Sequence, residues 1–205
     1  VAVIDTGRLD HPDLTGRLVK GYDFVGRTRD AKDGDGWDAD ESDPGDWSDG
    51  TDPTYYCTSG QGFQPSSWHG THVAGVIGAV ANNGIGVAGI NLRSPIQQVR
   101  VLGTCGGRTS DEAAAIRWAA GLPVPGVPAN PTPARVINLS LGSNAACESV
   151  EQDAINAAVA AGAVVVVAAG NSSQNLATTQ FAPATCANVI TVTAVKNDGS
   201  RAYYS

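Results

Sequence analysis

Short runs of valine, isoleucine and alanine recur along the chain and define its predicted strands. The run at residues 164–167 is Val-Val-Val-Val, without the alternation of apolar and polar positions that a half-exposed strand shows. Continuous apolar runs of this kind indicate strands that are buried on both faces, as in parallel sheets. The pattern predicts strands at residues 1–4, 96–102, 136–141, 163–169 and 189–195.

Segments with helical character separate these strands. One predicted helix covers residues 72–81. Residues 109–112 read Thr-Ser-Asp-Glu, which is a capping-box pattern ahead of a second helix over residues 111–120. Residues 149–152 open a third helix, and Gly162 is a plausible residue to end it.

The order of these elements predicts the fold class. Strands that alternate with helices are typical of an α/β protein with a doubly wound, mostly parallel sheet in three layers. In such folds the functional residues gather at the carboxyl ends of the strands. We expect one domain over residues 1–205, without an internal repeat.

Composition limits the possible classes of protein. The chain has 205 residues, of which 42% are hydrophobic and 16% are charged, with 25 Gly and 11 Pro. These values exclude a disordered chain, a coiled coil and a collagen-like repeat. The longest apolar run, residues 163–169, is much shorter than a membrane span. No basic run or aromatic RNA-binding motif is present, so we expect neither a nucleic-acid nor a membrane partner.

The start of the chain and its cysteines both bear on where the protein works. The chain contains no Met and begins at Val1, inside a predicted strand, so we expect a processed or truncated piece whose signal peptide would already be gone. The cysteines lie far apart without a Cys-x-x-Cys pair, which disfavours zinc and leaves either two disulfides or four buried thiols. They are Cys57, Cys105, Cys147 and Cys186.

The acidic residues are concentrated in one segment. Ten of the 20 acidic residues lie from Asp30 to Asp52 with one base, Lys32, so this segment carries −9 of a net −7 and the remaining residues carry +2. Charges this dense repel one another unless a cation lies among them or water screens them. Carboxylates that alternate with glycines can converge on Ca²⁺, so we expect calcium here rather than only a solvated acidic loop. The expected ligands come from Asp33, Asp35, Asp38, Asp40 and Asp43.

Three residues with catalytic potential lie at the predicted carboxyl edge of the sheet. Asp5 ends the first strand, His69 begins a helical segment, and Asn171 follows the strand at residues 163–169. A buried Asp can fix the tautomer of a His, and that His can then act as a general base. An Asn amide can donate a hydrogen bond to a developing oxyanion.

Motifs in four parts of the chain carry a resemblance to a known family. They are Val-Ile-Asp-Thr-Gly at 3–7 with His-Pro-Asp-Leu at 11–14, His-Gly-Thr-His-Val-Ala-Gly at 69–75, Asn-Leu-Ser-Leu-Gly at 138–142 and Ala-Ala-Gly-Asn at 168–171. In this order they make the chain resemble the subtilisin-like serine proteases (subtilases), of the secreted bacterial type with an acidic insertion. The resemblance covers nearly the whole chain except the insertion at residues 30–68.

The resemblance implies a function and assigns roles to residues. It implies a subtilisin-like fold and a secreted serine endopeptidase that works through an Asp-His-Ser triad and an acyl-enzyme, a mechanism that comes with the family template. Asp5 would orient His69, His69 would act as base and then as acid, and Asn171 would supply one oxyanion donor. An extended polypeptide substrate would bind as an added strand. Its binding residues would be Gly106, Gly107, Ser140, Leu141, Gly142, Ala168, Ala169 and Gly170.

One departure from the family concerns the nucleophile. The family carries it in a Gly-Thr-Ser-Met-Ala motif, and this chain has no Gly-Thr-Ser and no Met. We therefore expect a domain that is incomplete at both ends, with the nucleophilic Ser outside this chain, so that this piece alone would be inactive. The alternatives are a non-catalytic relative that binds peptide or calcium, and an inert fragment. By the resemblance we expect a monomer, made as a zymogen, with its own pro-peptide as a possible partner.

The resemblance also implies a second calcium site and a disulfide pairing. Relatives pair their cysteines in sequence order, which implies Cys57–Cys105 and Cys147–Cys186. Each bond could contribute on the order of 4 kcal/mol of stability. The second calcium site would use the Asp of His-Pro-Asp-Leu and a loop that reads Asn-Asn-Gly-Ile-Gly-Val at residues 82–87. Its expected ligands are Asp13, Ala81, Asn83, Ile85 and Val87.

Two other interpretations of the same motifs are disfavoured. Asp5-Thr6-Gly7 also resembles the aspartic-protease triplet, but that fold is all-β, whereas the pattern here is α/β. His69 and His72 have the spacing of a metal pair, but the motif lacks the Glu of a metalloprotease helix. We expect His72 to be a structural neighbour of the base.

Overall fold

Six parallel strands form one sheet in the described part of the chain. The computed structural model describes residues 1–50, 57 and 62–205, so Asp52, the last acid of the acidic segment, lies outside it. The strand order is β2-β3-β1-β4-β5-β6. The strands are β1 (Ala2–Asp5), β2 (Leu18–Asp23), β3 (Ile96–Arg100), β4 (Val136–Leu139), β5 (Val164–Ala168) and β6 (Ile190–Val192). The helices are α1 (Thr28–Ala31), α2 (His69–Gly78), α3 (Thr109–Ala119) and α4 (Ser149–Ala160).

Helices pack on both faces of this sheet, which confirms the three-layer α/β prediction. Ala2 and Ile4 of β1 belong to the larger core, which also contains buried residues of α3 and α4. Val3, which points to the opposite face, packs with Ala74 of α2 and with Ile96. Successive side chains of a strand face opposite sides, so β1 contributes to both cores and both faces of it are buried.

The winding of the chain places a crevice at the end of β1. From β1 the chain builds β2 and β3 on one side, and it then crosses to build β4, β5 and β6 on the other. In an open α/β sheet, ligands bind beyond the carboxyl ends of the strands at the point where the strand order reverses. Asp5, the last residue of β1, is therefore at the position where a functional group is expected.

The three predicted helices are confirmed, although α2 and α3 begin earlier than predicted, whereas α4 begins at Ser149 as predicted. Helix α2 begins at His69, three residues before the predicted start, and follows Trp68 in a left-handed backbone conformation. The capping-box prediction at residues 109–112 is wrong, because Thr109 already belongs to α3 and the residue before it, Arg108, makes no side-chain cap hydrogen bond. Gly162, with φ of 90°, follows the end of α4 as predicted.

The strand predictions differ from the structure in two ways. Strand β2 was not anticipated, because Lys20 and Gly21 interrupt its apolar pattern. The prediction that strands are buried on both faces holds for β1 and β3 and fails at one edge of the sheet, where Val164 is 43% and Ile190 is 54% exposed. Val165 and Val167 face the core beneath α3 and α4, whereas α2 packs on β1 and β3 and leaves the outer face of β5 uncovered.

Two disulfides join loops around the sheet. Cys57 is bonded to Cys105, with Cα atoms 5.6 Å apart, and Cys147 to Cys186, with Cα atoms 5.3 Å apart. The pairing in sequence order is confirmed. Both bonds close loops beside the carboxyl ends of β3 and β4. In the described residues no helix combines the length and the apolarity that crossing a membrane requires.

Two glycines of α2 test how closely this helix approaches β1. A Cβ at Gly70 would lie 2.4 Å from the carbonyl oxygen of Gly7, whereas a Cβ at Gly75 would meet nothing within 4 Å. We expect Gly70→Ala to lower the free energy of unfolding by roughly 1–3 kcal/mol, because the helix must move away from the strand. Gly75→Ala should raise it by about 0.5–1 kcal/mol, because Ala favours the helix interior. Denaturant unfolding of both variants makes the comparison, and equal effects would contradict this packing.

Candidate active site

A buried carboxylate and a half-exposed imidazole form the centre of the site. Nδ1 of His69 lies 2.7 Å from Oδ1 and 2.9 Å from Oδ2 of Asp5. Asp5 ends β1 and is fully buried, whereas His69 begins α2 with 44% of its side chain exposed. With Nδ1 held by the carboxylate, the proton of a neutral His69 is fixed on Nδ1, and Nε2 is left free to accept a proton.

The environment of Asp5 keeps this pair together. Its Oδ1 also accepts a hydrogen bond of 2.8 Å from the backbone N–H of Thr6. A buried carboxylate is costly unless it is hydrogen-bonded and paired with a cation, so protonation of His69 is favoured. The hydrogen bond from His69 to Asp5 therefore raises the pKa of His69 above its usual value, against the opposing effect of burial.

A second hydrogen-bond chain connects the acidic segment to the start of α2. The hydroxyl of Thr6 donates to Oδ2 of Asp43 over 2.7 Å and accepts from the N–H of Gly70 over 3.0 Å. Oδ1 of Asp43 accepts from the N–H of Gly45 over 2.8 Å. Burial raises the pKa of Asp43, and these donors oppose the rise. Asp43 thus orients the hydroxyl of Thr6, which accepts a hydrogen bond from the N–H of Gly70, the residue after His69.

Asp46 fixes the segment on the other side of His69. Its carboxylate accepts from the N–H and the hydroxyl of Ser67, over 2.6 and 2.7 Å. The Ser67 hydroxyl in turn accepts from the N–H of His69 over 3.4 Å. The negative charge of Asp46 also contributes to the raised pKa of His69. Two carboxylates of one loop therefore constrain the backbone at the beginning of α2.

A cavity of about 570 Å³ opens beside His69 between two loops. One wall is the loop after β3, with Gly106 and Gly107, and the other is the segment after β4, from Ser140 to Gly142. The structure therefore brings five of the eight predicted substrate-binding residues together with His69. A cavity of about 630 Å³ lies elsewhere, between Arg8, His11 and Glu41, and does not include His69.

The remaining predicted residues of the cleft lie outside this cavity. Ala168 ends β5 and residues 169–171 follow it at the same edge of the sheet, but none of these four residues is part of the cavity wall. Asn171 is exposed, and Gly170, with φ of 87°, packs against the ring of Phe181. The structure thus places Asn171 at the expected edge and does not join it to His69 by any contact within the described residues.

A positively charged residue of β3, Arg100, contacts a carboxylate of the acidic segment. The guanidinium of Arg100, at the end of β3, is buried and pairs with the carboxylates of Asp23 and Asp33. It also donates to the carbonyl of Ala31. Arg100 thus neutralises part of the charge of the segment, a role that the sequence analysis did not identify, and the calcium prediction stays a prediction.

This arrangement involves two of the predicted calcium ligands of the acidic segment. Asp33 pairs with Arg100 and Asp43 accepts a hydrogen bond from Thr6, so both carboxylates have partners within the protein, and their role as calcium ligands stays a prediction. Asp38 and Asp40 accept backbone N–H groups two residues later, and the charge of Asp38 raises the pKa of Asp35. Among the described residues, one group of three candidate ligand atoms converges, and its two cysteines are bonded to each other. That group is Cys147, Glu151 and Cys186.

The second predicted calcium loop does come together. Asp13 accepts from Nδ2 of Asn83 over 2.7 Å and from the N–H of Val87 over 2.8 Å. These donors hold the pKa of Asp13 below its usual value, so it is ionised at neutral pH. The atoms that could bind an ion here are all oxygens. They are the carboxylate of Asp13, the side-chain amide oxygen of Asn83 and the main-chain carbonyls of Ala81, Ile85 and Val87. Such a set fits calcium in kind.

The sequence patterns assigned no role to several residues of the site. Thr6 lies within the motif at residues 3–7, but neither Thr6 nor Ser67 was considered as a hydrogen-bond partner, and Asp46 was counted only as part of an acidic run. The cavity is also lined by Glu112 and Glu151, which were considered only as parts of helix-start patterns. Each contribution depends on contacts between distant segments.

Comparisons with known proteins show the family of the chain. The model described as "Subtilase family" matches residues 1–205. An extracellular protease of Xanthomonas campestris is 49% identical over 205 residues, which are all of this chain and 34% of that protein. An extracellular basic protease of Dichelobacter nodosus is 44% identical over 205 residues, with the same coverage. The chain therefore spans about a third of the length of these relatives.

Solved structures show the same fold. A protease of Pseudoalteromonas arctica superposes with a TM-score of 0.92 at 48% sequence identity, over 99% of this chain and 58% of the other. A cold-adapted subtilisin-like serine proteinase superposes with a TM-score of 0.68 at 29% identity, over 99% of this chain and 57% of the other.

The hydrogen bond between Asp5 and His69 predicts a measurable pKa. NMR titration of the imidazole in this chain should give a pKa above the usual value of about 6.5. Asp5→Asn should lower that pKa, because the charge that favours the imidazolium is removed. The folded-state pKa is raised, so the interaction stabilises the fold below the unfolded pKa, and this contribution is lost as pH rises through the folded pKa. An unchanged His69 pKa in Asp5→Asn would contradict the assigned contact.

Proposed function

The chain belongs to the subtilase family, and from that premise we propose that it is the part of a secreted serine endopeptidase that supplies the acid–base pair and two walls of the substrate cleft. The observation that carries the proposal is the contact of His69 Nδ1 with buried Asp5 beside an open cavity. Relatives named as extracellular proteases support both the activity and the location outside the cell.

His69 moves the proton in this proposal. Its Nε2 accepts the proton of a serine hydroxyl as that oxygen attacks the carbonyl carbon of a peptide bond. The imidazolium then donates the proton to the departing amine, which leaves an acyl-enzyme. In the second half, His69 takes a proton from water as the hydroxide attacks the ester, and it returns the proton to the serine. The serine is proposed to lie outside these 205 residues, none of which has the family's Gly-Thr-Ser context.

Asp5 acts on His69 and not on the substrate. It keeps the proton of neutral His69 on Nδ1, so that Nε2 is available as the base. Its buried charge also stabilises the imidazolium that forms during the reaction. Its fixed position at the end of β1 makes this arrangement available before substrate binds, so no reorganisation is needed during catalysis.

The cavity walls favour an extended polypeptide as substrate. Gly106 and Gly107 carry no side chains, and a Cβ at Gly107 would lie 2.7 Å from the carbonyl of Val101, so backbone lines this wall. Ser140, Leu141 and Gly142 follow directly after the last paired residue of β4. Exposed backbone on both sides suits a peptide that adds a strand through main-chain hydrogen bonds. Asn171 is proposed as one oxyanion donor, and residues 168–170 as a wall of the neighbouring side-chain pocket.

Calcium is proposed as a stabilising ion at the loop of Asn83. Asp13, Asn83 and the carbonyls of Ala81, Ile85 and Val87 would hold it, and its role would be to tie this loop to the turn that precedes β2. For the acidic segment the proposed ligands come from Asp33, Asp35, Asp38, Asp40 and Asp43, and the repulsion between Asp35 and its acidic neighbours supports a bound cation there.

Removing the proposed base should abolish hydrolysis. In the full-length protein, the His69→Ala variant should lower kcat/KM for an extended peptide by about 10²–10⁴-fold, which is the usual contribution of a general base. His72→Ala is the matched control, because His72 is exposed and lies three residues further along the same helix. It should retain activity. Hydrolysis assays with both variants would refute the proposal if His69→Ala and His72→Ala were equally active.

Calcium binding should appear as thermal stabilisation. Added Ca²⁺ should raise the Tm of this chain, and a chelator should lower it, because the ion binds only the folded loop. Asp13→Asn should remove most of the shift, whereas Asp153→Asn, an exposed change on α4, should keep it. The assignment fails if calcium stabilises Asp13→Asn as much as it stabilises the unchanged chain.

A further inference from the structure

Two glutamates lie at the end of the cavity where the helices α3 and α4 begin. Glu112 belongs to the first turn of α3 and Glu151 to the first turn of α4. Both line the cavity that also includes His69. Glu151 is 2% exposed, so its charge is largely removed from water. The mechanism assigned above uses neither residue.

The pair is incompletely satisfied by the protein. Oε1 of Glu112 is buried and accepts no hydrogen bond from an N–H or hydroxyl of the described residues, and the only side-chain partner of this carboxyl there is the carboxyl of Glu151. Burial and the neighbouring Glu151 raise the pKa of Glu112 to about 8, and burial also raises the pKa of Glu151. Two carboxyls that interact so closely share a proton near neutral pH, because both cannot ionise without a counter-charge. An unpartnered acceptor in a cavity wall requires an explanation.

The other charged groups of the cavity do not provide that counter-charge. Glu148 adds a further carboxylate and accepts from the hydroxyl of Thr109 over 3.3 Å. Arg108 is exposed and forms no ion pair within the described part of the chain. The remaining charged or titratable members of the wall are Asp46 and His69, which are engaged with Ser67 and Asp5.

Apolar groups accompany these carboxylates in the cavity wall and behind it. The two leucines belong to the wall, and Sγ of Cys186 lies 3.5 Å from Oε2 of Glu151. A side chain that enters here would therefore contact apolar groups along its length and carboxylates at its tip. Lys and Arg have this combination of an aliphatic stem and a cationic head.

We propose that Glu112 and Glu151 form a subsite for a basic side chain of the polypeptide substrate, away from the scissile bond. This inference rests on the proposed endopeptidase function. An ammonium or guanidinium group would donate hydrogen bonds to the carboxylates, including the unpartnered Oε1 of Glu112. The proton held by the pair would pass to solvent as the cation takes its place. The carboxylates thereby favour substrates that carry Lys or Arg at this position.

A purely structural role is the competing explanation. Acidic residues in the first turn of a helix are stabilised by the helix dipole, which applies to both glutamates. That explanation gives the pair no influence on which substrate binds. Selectivity between substrates that differ only in charge therefore separates the two roles.

The test compares pairs of extended peptides that differ at one residue. One pair carries Arg or citrulline and the other carries Lys or norleucine, and the position of that residue is varied along the peptide. With the protein as its source produces it, the kcat/KM ratio of charged to neutral peptide should be roughly 10–100 at one position, the usual strength of a charge-assisted hydrogen bond. Glu112→Gln and Glu151→Gln should each reduce this ratio toward one. Asp153→Asn should leave the ratio unchanged. The ratio should also rise with pH as the pair loses its shared proton.

The outcomes separate this inference from the proposed function. If charged and neutral peptides are cleaved equally at every position, the subsite is refuted while the endopeptidase stands. If no peptide is cleaved and none binds by calorimetry, the proposed function fails. A preference for Arg that survives in both Gln variants would also overturn the assignment, because another group would then recognise the cation. Melting curves of the two variants show whether each folds, and one folded variant is sufficient.

Discussion

The buried carboxylate of Asp5 is the constraint on which the site depends. It lies at the end of the central strand, without contact to water, and it is stabilised by the N–H of Thr6 and by His69. A charge in this position can be tolerated only with such partners, so β1 and the start of α2 must stay together. The close approach of Gly70 to Gly7 allows that contact. The raised pKa of His69 and the orientation of its ring both follow from it.

The acidic segment is a structural part of the site as well as a charged loop. Asp43 and Asp46 bind groups on either side of His69, and Asp33 binds the buried guanidinium of Arg100 at the end of β3. The segment therefore connects the end of β3 to the start of α2. The segment folds despite its net charge of −9, because these contacts and nearby basic residues stabilise part of the charge and the remaining carboxylates are exposed to water.

Much of the fold and the central pair could be predicted from the sequence. Unbroken Val and Ile runs, Gly162 and the motifs around Asp5 and His69 are local signals, and the structure agrees with them. Strand β2 and the exposed face of β5 were not predicted, because both depend on which elements pack together and no local sequence pattern indicates that packing. Arg100, Thr6, Glu112 and Glu151 likewise gain their roles from partners at least 37 residues away, or from each other across two helices. The hydrogen bonds of Asp43 to Thr6 and Gly45 were not foreseen, because its charge, and not its burial, was visible in the sequence.

The most direct test of the account is the intact mass of the protein, as its source produces it, before and after treatment with a fluorophosphonate that labels activated serines. The account predicts one covalent adduct on a serine, and its loss in His69→Ala, because His69 is the base that activates the nucleophile. His72→Ala should still be labelled. A protein that gains no adduct, or that is labelled equally without His69, would contradict the claim that the pair of Asp5 and His69 activates a serine.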